Sequence, residues 1–165
     1  PAPVNHYGMS KVTMELATRL YADLPIVLSR PFNYTGVGQN PNFLIPKIVN
    51  AFKAGKREIE LGNLDVSRDF SDVRDVAAVY ATLAEHPMAG EVLNICSGHC
   101  HQLNEVVAMA QSISQHTLQV QVDPRLVRDN EVRELRGDIT KLAQLMGDQP
   151  RHDLSSTLQW MLNAK

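Results

Sequence analysis

Two residues near the start of the chain could do acid–base chemistry together. In "VNHYGMSK", Tyr7 precedes Lys11 by four residues. On a helix, positions i and i+4 stand one above the other on a single face. A free phenol has a pKa of ~10, too high for ready proton exchange at neutral pH. An ammonium beside a phenol favours the phenolate and makes the group a usable proton shuttle. The pattern therefore predicts a proton donor and its tuner, provided a helix carries both.

The surrounding residues supply that helix. "YGMSKVTMELATRLY" (7–21) places Met9, Val12, Leu16 and Leu20 on one apolar stripe at helical spacing. The Tyr–Lys face points almost opposite that stripe. A short apolar run at Ile26–Ser29 predicts a buried strand stopped by Pro31, and "YTGVGQNPN" predicts a loop.

A second cluster, "CSGHCH", holds both cysteines of the chain, Cys96 and Cys100. A metal site using them with His99 or His101 is conceivable. Zinc sites usually draw on two ligand couples, and no second couple occurs in the sequence. The favoured reading is a strand end followed by a glycine-containing turn. A disulfide is not expected in a cytoplasmic protein.

Further along, residues 42–54 predict a helix with Phe43, Ile48, Val49 and Phe52 inward, and Pro46 tolerated in its first turn. "REIELG" predicts a short strand. Ser71 or Asp72 caps a helix with Asp75 in its first turn; Val73, Val76, Ala77, Tyr80, Leu83 and Ala84 form its buried face, and Pro87 and Gly90 end it. "EVLNIC" predicts a buried strand, 103–115 an amphipathic helix, and "LQVQV" another strand. "DPRLVRDNEVRELRGD" is charged and irregular. "DITKLAQLMG" predicts a helix capped by Asp138 and stopped by Gly147, and 154–163 a last helix. Strands alternate with helices, so the class is α/β. The "GVG" at 36–38 lacks a third glycine and opens no predicted helix, so it is no dinucleotide fingerprint.

The bulk numbers set limits. The 165 residues are enough for a real core. Apolar residues make up 44%, charged residues 21%, and formal net charge is −2. That balance, with 5% aromatics, does not suggest a nucleic-acid partner. No apolar run approaches the ~20 residues of a membrane span, no signal peptide is visible, and the chain does not open with Met. A cytoplasmic protein is expected.

Several segments together resemble one family. "YGMSK" resembles the Tyr-x-x-x-Lys signature of the extended short-chain dehydrogenase/reductases. "LSRPFNYTGVGQ", "LGNLDVSRDFSDVRDVAAVY", "GEVLNICSG" and "DPRLVRDNEVRELRGDITKLAQLMG" follow in the order of the nucleotide-sugar branch. They are most similar to the enzymes acting on GDP-mannose, the 4,6-dehydratases and the GDP-4-dehydro-6-deoxy-D-mannose reductases, with the wording closer to the reductases.

The resemblance implies the C-terminal half of such an enzyme. Residues 1–32 would be the remnant of a Rossmann-type domain and 33–165 a small α/β domain that binds the nucleotide-sugar. The Gly-rich dinucleotide-binding units and a catalytic Ser or Thr would precede them. With the rest of the sheet lacking, the strand at 26–29 and the apolar stripe of the first helix should be uncovered. The implied cofactor is NAD or NADP, met by Tyr7, Lys11 and backbone around Pro31 and Phe32. The implied substrate is a GDP-sugar, met by Asn33, Leu44, Lys47, Arg68, Arg128 and Glu131. Pro46, beside Lys47, departs from the dehydratase pattern. Guanidinium forks at Arg68 and Arg128 suit a diphosphate, and Glu131 suits ribose hydroxyls. The implied reaction is reduction of a C4 ketone. A 4,6-dehydratase, another epimerase, or a binding module without turnover are the alternatives. A homodimer is implied for the full-length protein.

Overall fold

The structure is a computed structural model. It describes residues 2–3, 5–86, 88–127, 131–147 and 151–164.

The first helix, α1 (His6–Ala17), is capped by Asn5, whose side-chain oxygen accepts from the Gly8 amide, and runs on into a 3-10 turn at Thr18–Tyr21. Two short strands follow, β1 (Leu28–Pro31) and β2 (Asn33–Thr35), then α2 (Leu44–Lys53), β3 (Glu58–Leu61) and β4 (Ser67–Asp72). Next come α3 (Val73–Glu85), β5 (Val92–Ile95), β6 (Cys100–Gln102), α4 (Leu103–Ser114) and β7 (Gln119–Val122). The chain closes with β8 (Glu134–Leu135), α5 (Thr140–Met146) and α6 (Leu154–Asn163).

The strands form three patches. β1 runs parallel to β5, with Leu28 opposite Val92 and Pro31 opposite Ile95. β4 lies between β2, parallel, and β6, antiparallel, and also pairs with β8. β3 runs parallel to β7. Side chains alternate along a strand. Leu93 and Ile95 therefore face one side of the β1–β5 pair, where Val76, Val79 and Leu83 of α3 and Leu142 and Met146 of α5 cover them. Ser29 points to the same side and its hydroxyl meets the Tyr80 hydroxyl at 3.0 Å. Arg30 points to the other side, toward α1.

The larger core is built by α2, α4 and α6 over β3 and β4, centred on Ile48, Leu61, Val106 and Leu158. The smaller core around β1 draws on α3, β5 and α5, so the two cores are not consecutive in sequence.

Several expectations change. Phe43 is the residue before α2 and is 59% exposed; Ile45, Pro46 and Ala51 bury instead. Ala77, Tyr80 and Ala84 of α3 are exposed, because the two-stranded patch beneath is narrower than the helix face. β1 is shifted to Leu28–Pro31 and only half-buried, since its outer edge has no neighbouring strand among the described residues. β2 runs into the start of the expected loop at Tyr34, and β4 forms where the sequence carries no strand signal. Asp72, not Ser71, caps α3 through the Arg74 amide. The first residue before α5 is Ile139, although Asp138 supplies the capping carboxylate. Pro87 lies outside the described residues. The apolar stripe of α1 is uncovered, with Leu20 82% exposed.

Candidate functional site

Helix α1 carries the Tyr–Lys pair. Lys11 Nζ lies 5.1 Å from the centroid of the Tyr7 ring, over its face. Tyr7 is 72% exposed, so its hydroxyl is open to a ligand. Glu15 continues the same i+4 row and fixes the helix to the sheet: its carboxylate takes both forks of the Arg30 guanidinium, with Nε–Oε1 at 2.7 Å. The hydrogen bond from Arg30 comes first in holding the Glu15 carboxyl below the usual range; burial opposes it, and the Arg30 charge adds to the lowering. The row Tyr7–Lys11–Glu15 is thus oriented by one bidentate contact at its C-terminal end.

At the end of β1 the chain turns into the next group. Phe32 donates its amide to Ile95 O at 2.9 Å, which fastens the strand end to β5. Pro31 is exposed there and Phe32 is half-buried. Asn33 is exposed and its Nδ2 reaches Asp69 O at 3.3 Å. Leu44 packs against the larger core, and Lys47 Nζ donates to Glu60 O at 2.7 Å. Arg68 donates through Nη2 to Glu131 Oε1 at 2.8 Å and through Nη1 to Val132 O. Arg128 lies outside the described residues. No hydrogen bond or ion pair among the described residues joins Tyr7 or Lys11 to Phe32, Asn33, Lys47, Arg68 or Glu131.

Two buried carboxylates that sequence reasoning passed over hold this region together. Asp69 is fully buried. Its Oδ1 accepts from the Ser97 amide (2.8 Å) and hydroxyl (2.6 Å), and its Oδ2 from the amides of Gly98 (2.9 Å) and Gly137 (3.2 Å). One side chain thereby satisfies donors on two separate loops. Gly137 must be glycine-sized, since a Cβ there would stand 2.4 Å from Cys96 Sγ. Asp72 accepts from Thr157 Oγ1 at 2.7 Å and from the Arg74 guanidinium, Nη2–Oδ2 at 2.6 Å. Burial raises its pKa, and the bonds from Arg74 and Thr157 overcome that and hold it low. Arg74 in turn stacks 3.9 Å from the Trp160 ring centroid, tying α3 to α6. The acidic run "SRDFSD" was the available signal, but the partners lie far off in sequence.

Cys96 is buried and Cys100 half-buried, and both are free. They stand on either side of a turn whose Gly98 has φ +79°. Among the described residues, no group of three or more His, Cys, Asp or Glu side chains is arranged to hold a metal. Among them no helix is long and apolar enough to cross a membrane.

A parallel α/β patch preceded by a helix with Tyr and Lys one turn apart is the architecture of an extended short-chain dehydrogenase/reductase. A model of the GDP-mannose 4,6 dehydratase family matches residues 1–161, and the chain belongs to that family. Among curated relatives, it is 38% identical to the GDP-6-deoxy-D-talose 4-dehydrogenase of Aggregatibacter actinomycetemcomitans over 92% of this chain and 52% of that protein. It is 33% identical to the GDP-6-deoxy-D-mannose reductase of Pseudomonas aeruginosa over 99% of this chain and 56% of that protein. A solved structure from Burkholderia cenocepacia superposes with a TM-score of 0.94 at 51% identity, covering 99% of this chain and 54% of the other. RMD of Pseudomonas aeruginosa, solved with NADPH, gives 0.85 at 32% identity, covering 98% and 56%. The chain spans about half the length of the curated relatives it matches.

Proposed function

We propose that the full-length protein carrying this chain reduces the C4 ketone of a GDP-4-dehydro-6-deoxyhexose at the expense of NADH or NADPH. The observation that carries this is the Tyr7–Lys11 contact on an oriented helix, with an exposed phenol, in a chain of this family. The two curated relatives named above, a C4 dehydrogenase and a reductase of GDP-6-deoxy sugars, support it.

The residues present fit the nicotinamide end of a dinucleotide. The Lys11 ammonium has only the Tyr7 ring as a partner among the described contacts, leaving donors for ribose hydroxyls. Pro31 lies exposed at the strand end. No Gly-rich turn opening a helix is present in the sequence to hold a pyrophosphate, so that end falls to residues outside this chain. When bound, the reduced nicotinamide supplies the hydride equivalent for C4. Tyr7 donates its hydroxyl proton to the C4 oxygen. Lys11 stabilises the phenolate left behind and orients the phenol. Arg68 and Arg128 take the diphosphate, Glu131 and Lys47 the nucleoside, and Asn33 the sugar, with Leu44 against the base. Residues 33–165 would supply most of this nucleotide-sugar contact and 1–32 the catalytic helix.

The enzyme is proposed to act as a cytoplasmic homodimer. This part of the reading rests on what the resemblance to the nucleotide-sugar branch implies. A 4,6-dehydratase reading has one observation behind it, the description of the family model itself.

Tyr7→Phe in the full-length enzyme tests the proposal. It removes the proton donor and keeps the ring. We expect kcat to fall at least ~10²–10⁴-fold with KM little changed. Near-normal turnover would refute the role of Tyr7. Conversion of GDP-mannose to its 4-keto-6-deoxy product by the parent enzyme would favour the dehydratase.

A further inference from the structure

Helix α1 carries the proposed proton donor, yet little in the chain holds it in place. None of its residues is buried. Among the described residues, the only hydrogen bonds and ion pair joining α1 to a strand run from Arg30 to Glu15. Asn5 caps the helix and the Thr18 hydroxyl donates to the Glu15 carbonyl, but both contacts stay within the same segment.

Arg30 stands on a fixed base. It lies in β1 opposite Asn94 of β5, and the next residue, Pro31, lies opposite Ile95. The Phe32 amide fastens the strand end to Ile95 O at 2.9 Å. Pro31 and Phe32 are the residues proposed to meet the nicotinamide. Arg30 is therefore one peptide away from that contact. Glu15 is two helical turns from Tyr7, about 12 Å along a stiff axis. The bidentate contact between them, with Nε–Oε1 at 2.7 Å, joins the strand end to the helix.

We propose that Arg30 and Glu15 are positioning residues for the reduction: their pair sets where the Tyr7 phenol stands relative to a nicotinamide at the end of β1. The proposal rests on the reading of Tyr7 as the proton donor. C4 receives a hydride and its oxygen receives the Tyr7 proton, so two donors must align on one carbonyl. Reacting atoms must approach to about 3–3.5 Å, and a misplacement of about 1 Å can cost ~10²-fold in rate. A point contact would let the helix pivot on the strand. The planar fork fixes both distance and angle. Neither residue is proposed to touch cofactor or substrate, so losing the pair leaves binding intact and slows the chemical step.

Single-turnover kinetics of the full-length enzyme are the test. Excess enzyme is preloaded with limiting NADH or NADPH and mixed with saturating GDP-4-dehydro-6-deoxy-D-mannose. The loss of nicotinamide absorbance gives a rate constant for the chemical step and an amplitude for the competent fraction. We expect Arg30→Gln and Glu15→Gln each to lower the rate constant about tenfold, with KM for the GDP-sugar within about twofold of the parent. Arg30→Lys keeps the charge without the fork and should fall between them and the parent. A pair that only stabilised the fold would lower the amplitude and Tm and leave the rate constant parental. That result, or a parental rate constant in either Gln variant while Tyr7→Phe is slow, overturns this proposal alone. Near-normal turnover in Tyr7→Phe removes the reading beneath it, and the proposal with it.

Discussion

Arg68 and Glu131 hold each other at 2.8 Å across the seam between β4 and the segment before β8. The same Arg68 also donates to the Ser67 and Val132 carbonyls. The guanidinium is therefore fixed in the unliganded chain, so in the proposed role of Arg68 a diphosphate need not pay to order it. A pair with side chains 16% and 20% exposed is shielded enough to hold its geometry.

A first prediction follows from that pairing. In the full-length enzyme, Arg68→Lys keeps the charge and loses the planar fork. KM for the GDP-sugar should rise about tenfold with kcat within about twofold, the signature of lost uniform binding. Glu131→Gln should give a smaller rise in KM, because the Arg68 carbonyl contacts remain. Steady-state kinetics of both variants are the check, and an unchanged KM in Arg68→Lys would remove Arg68 from the site.

Asp69→Asn tests the buried carboxylate. The amide retains one oxygen, but its NH₂ must face amide or hydroxyl donors that Asp69 now satisfies. Leaving such donors unpaired in a buried place costs about 1–3 kcal/mol each. Tm should fall by about 5–10 °C. A melting curve within about 2 °C of the parent would show that water can replace the carboxylate.

Much of this architecture was readable in the chain, and the exceptions share a cause. α2, α4 and α6 show 3.6-residue apolar periodicity and pack into the larger core, the exposed Phe43 before α2 being the exception. The Tyr7–Lys11 contact follows from i,i+4 spacing alone. β4 was hidden because Asp69, Ser71 and Asp72 occupy buried positions that pattern reading reserves for apolar side chains. Their partners, Ser97, Gly98, Gly137 and Thr157, lie 28–85 residues away and cannot be paired from local sequence. Tyr80 failed for the opposite reason. Its helical position is apolar, but the sheet beneath α3 is too narrow to cover it.

The thiols give a prediction with a sign. Burial first, then the nearby Asp69 charge, pushes the Cys96 thiol up to about 11. Burial likewise raises Cys100, which is less enclosed. At pH 8 a group at that value is thiolate in about one molecule per thousand, and the thiolate is the reactive form. A disulfide reagent should modify Cys100 first and reach Cys96 only on unfolding. The folded pKa of Cys96 is raised above its unfolded value. Its stabilising contribution is thus complete below the unfolded value, ~8.5, and declines as pH rises toward about 11. Denaturant midpoints at pH 8 and pH 10 check the slope, and Cys96→Ala should flatten it. Rapid labelling of both thiols in the native state would contradict the burial of Cys96.

The last prediction concerns the 165-residue chain by itself. It should show no saturable binding of NADPH or NADH at micromolar concentration. Dinucleotide affinity comes largely from a Gly-rich turn and a helix N-terminus around the pyrophosphate, and the sequence contains no such turn. Tyr7 and Lys11 offer a few hydrogen bonds, each worth ~1 kcal/mol net. Immobilising a ligand costs an estimated ~4–15 kcal/mol. Tyr7 is 72% exposed, so little apolar burial offsets the difference. Fluorescence titration of the purified chain with each nucleotide is the measurement. Micromolar saturation would mean that α1 and the end of β1 hold far more of the cofactor than their contacts imply, and Lys11→Met would then have to abolish it.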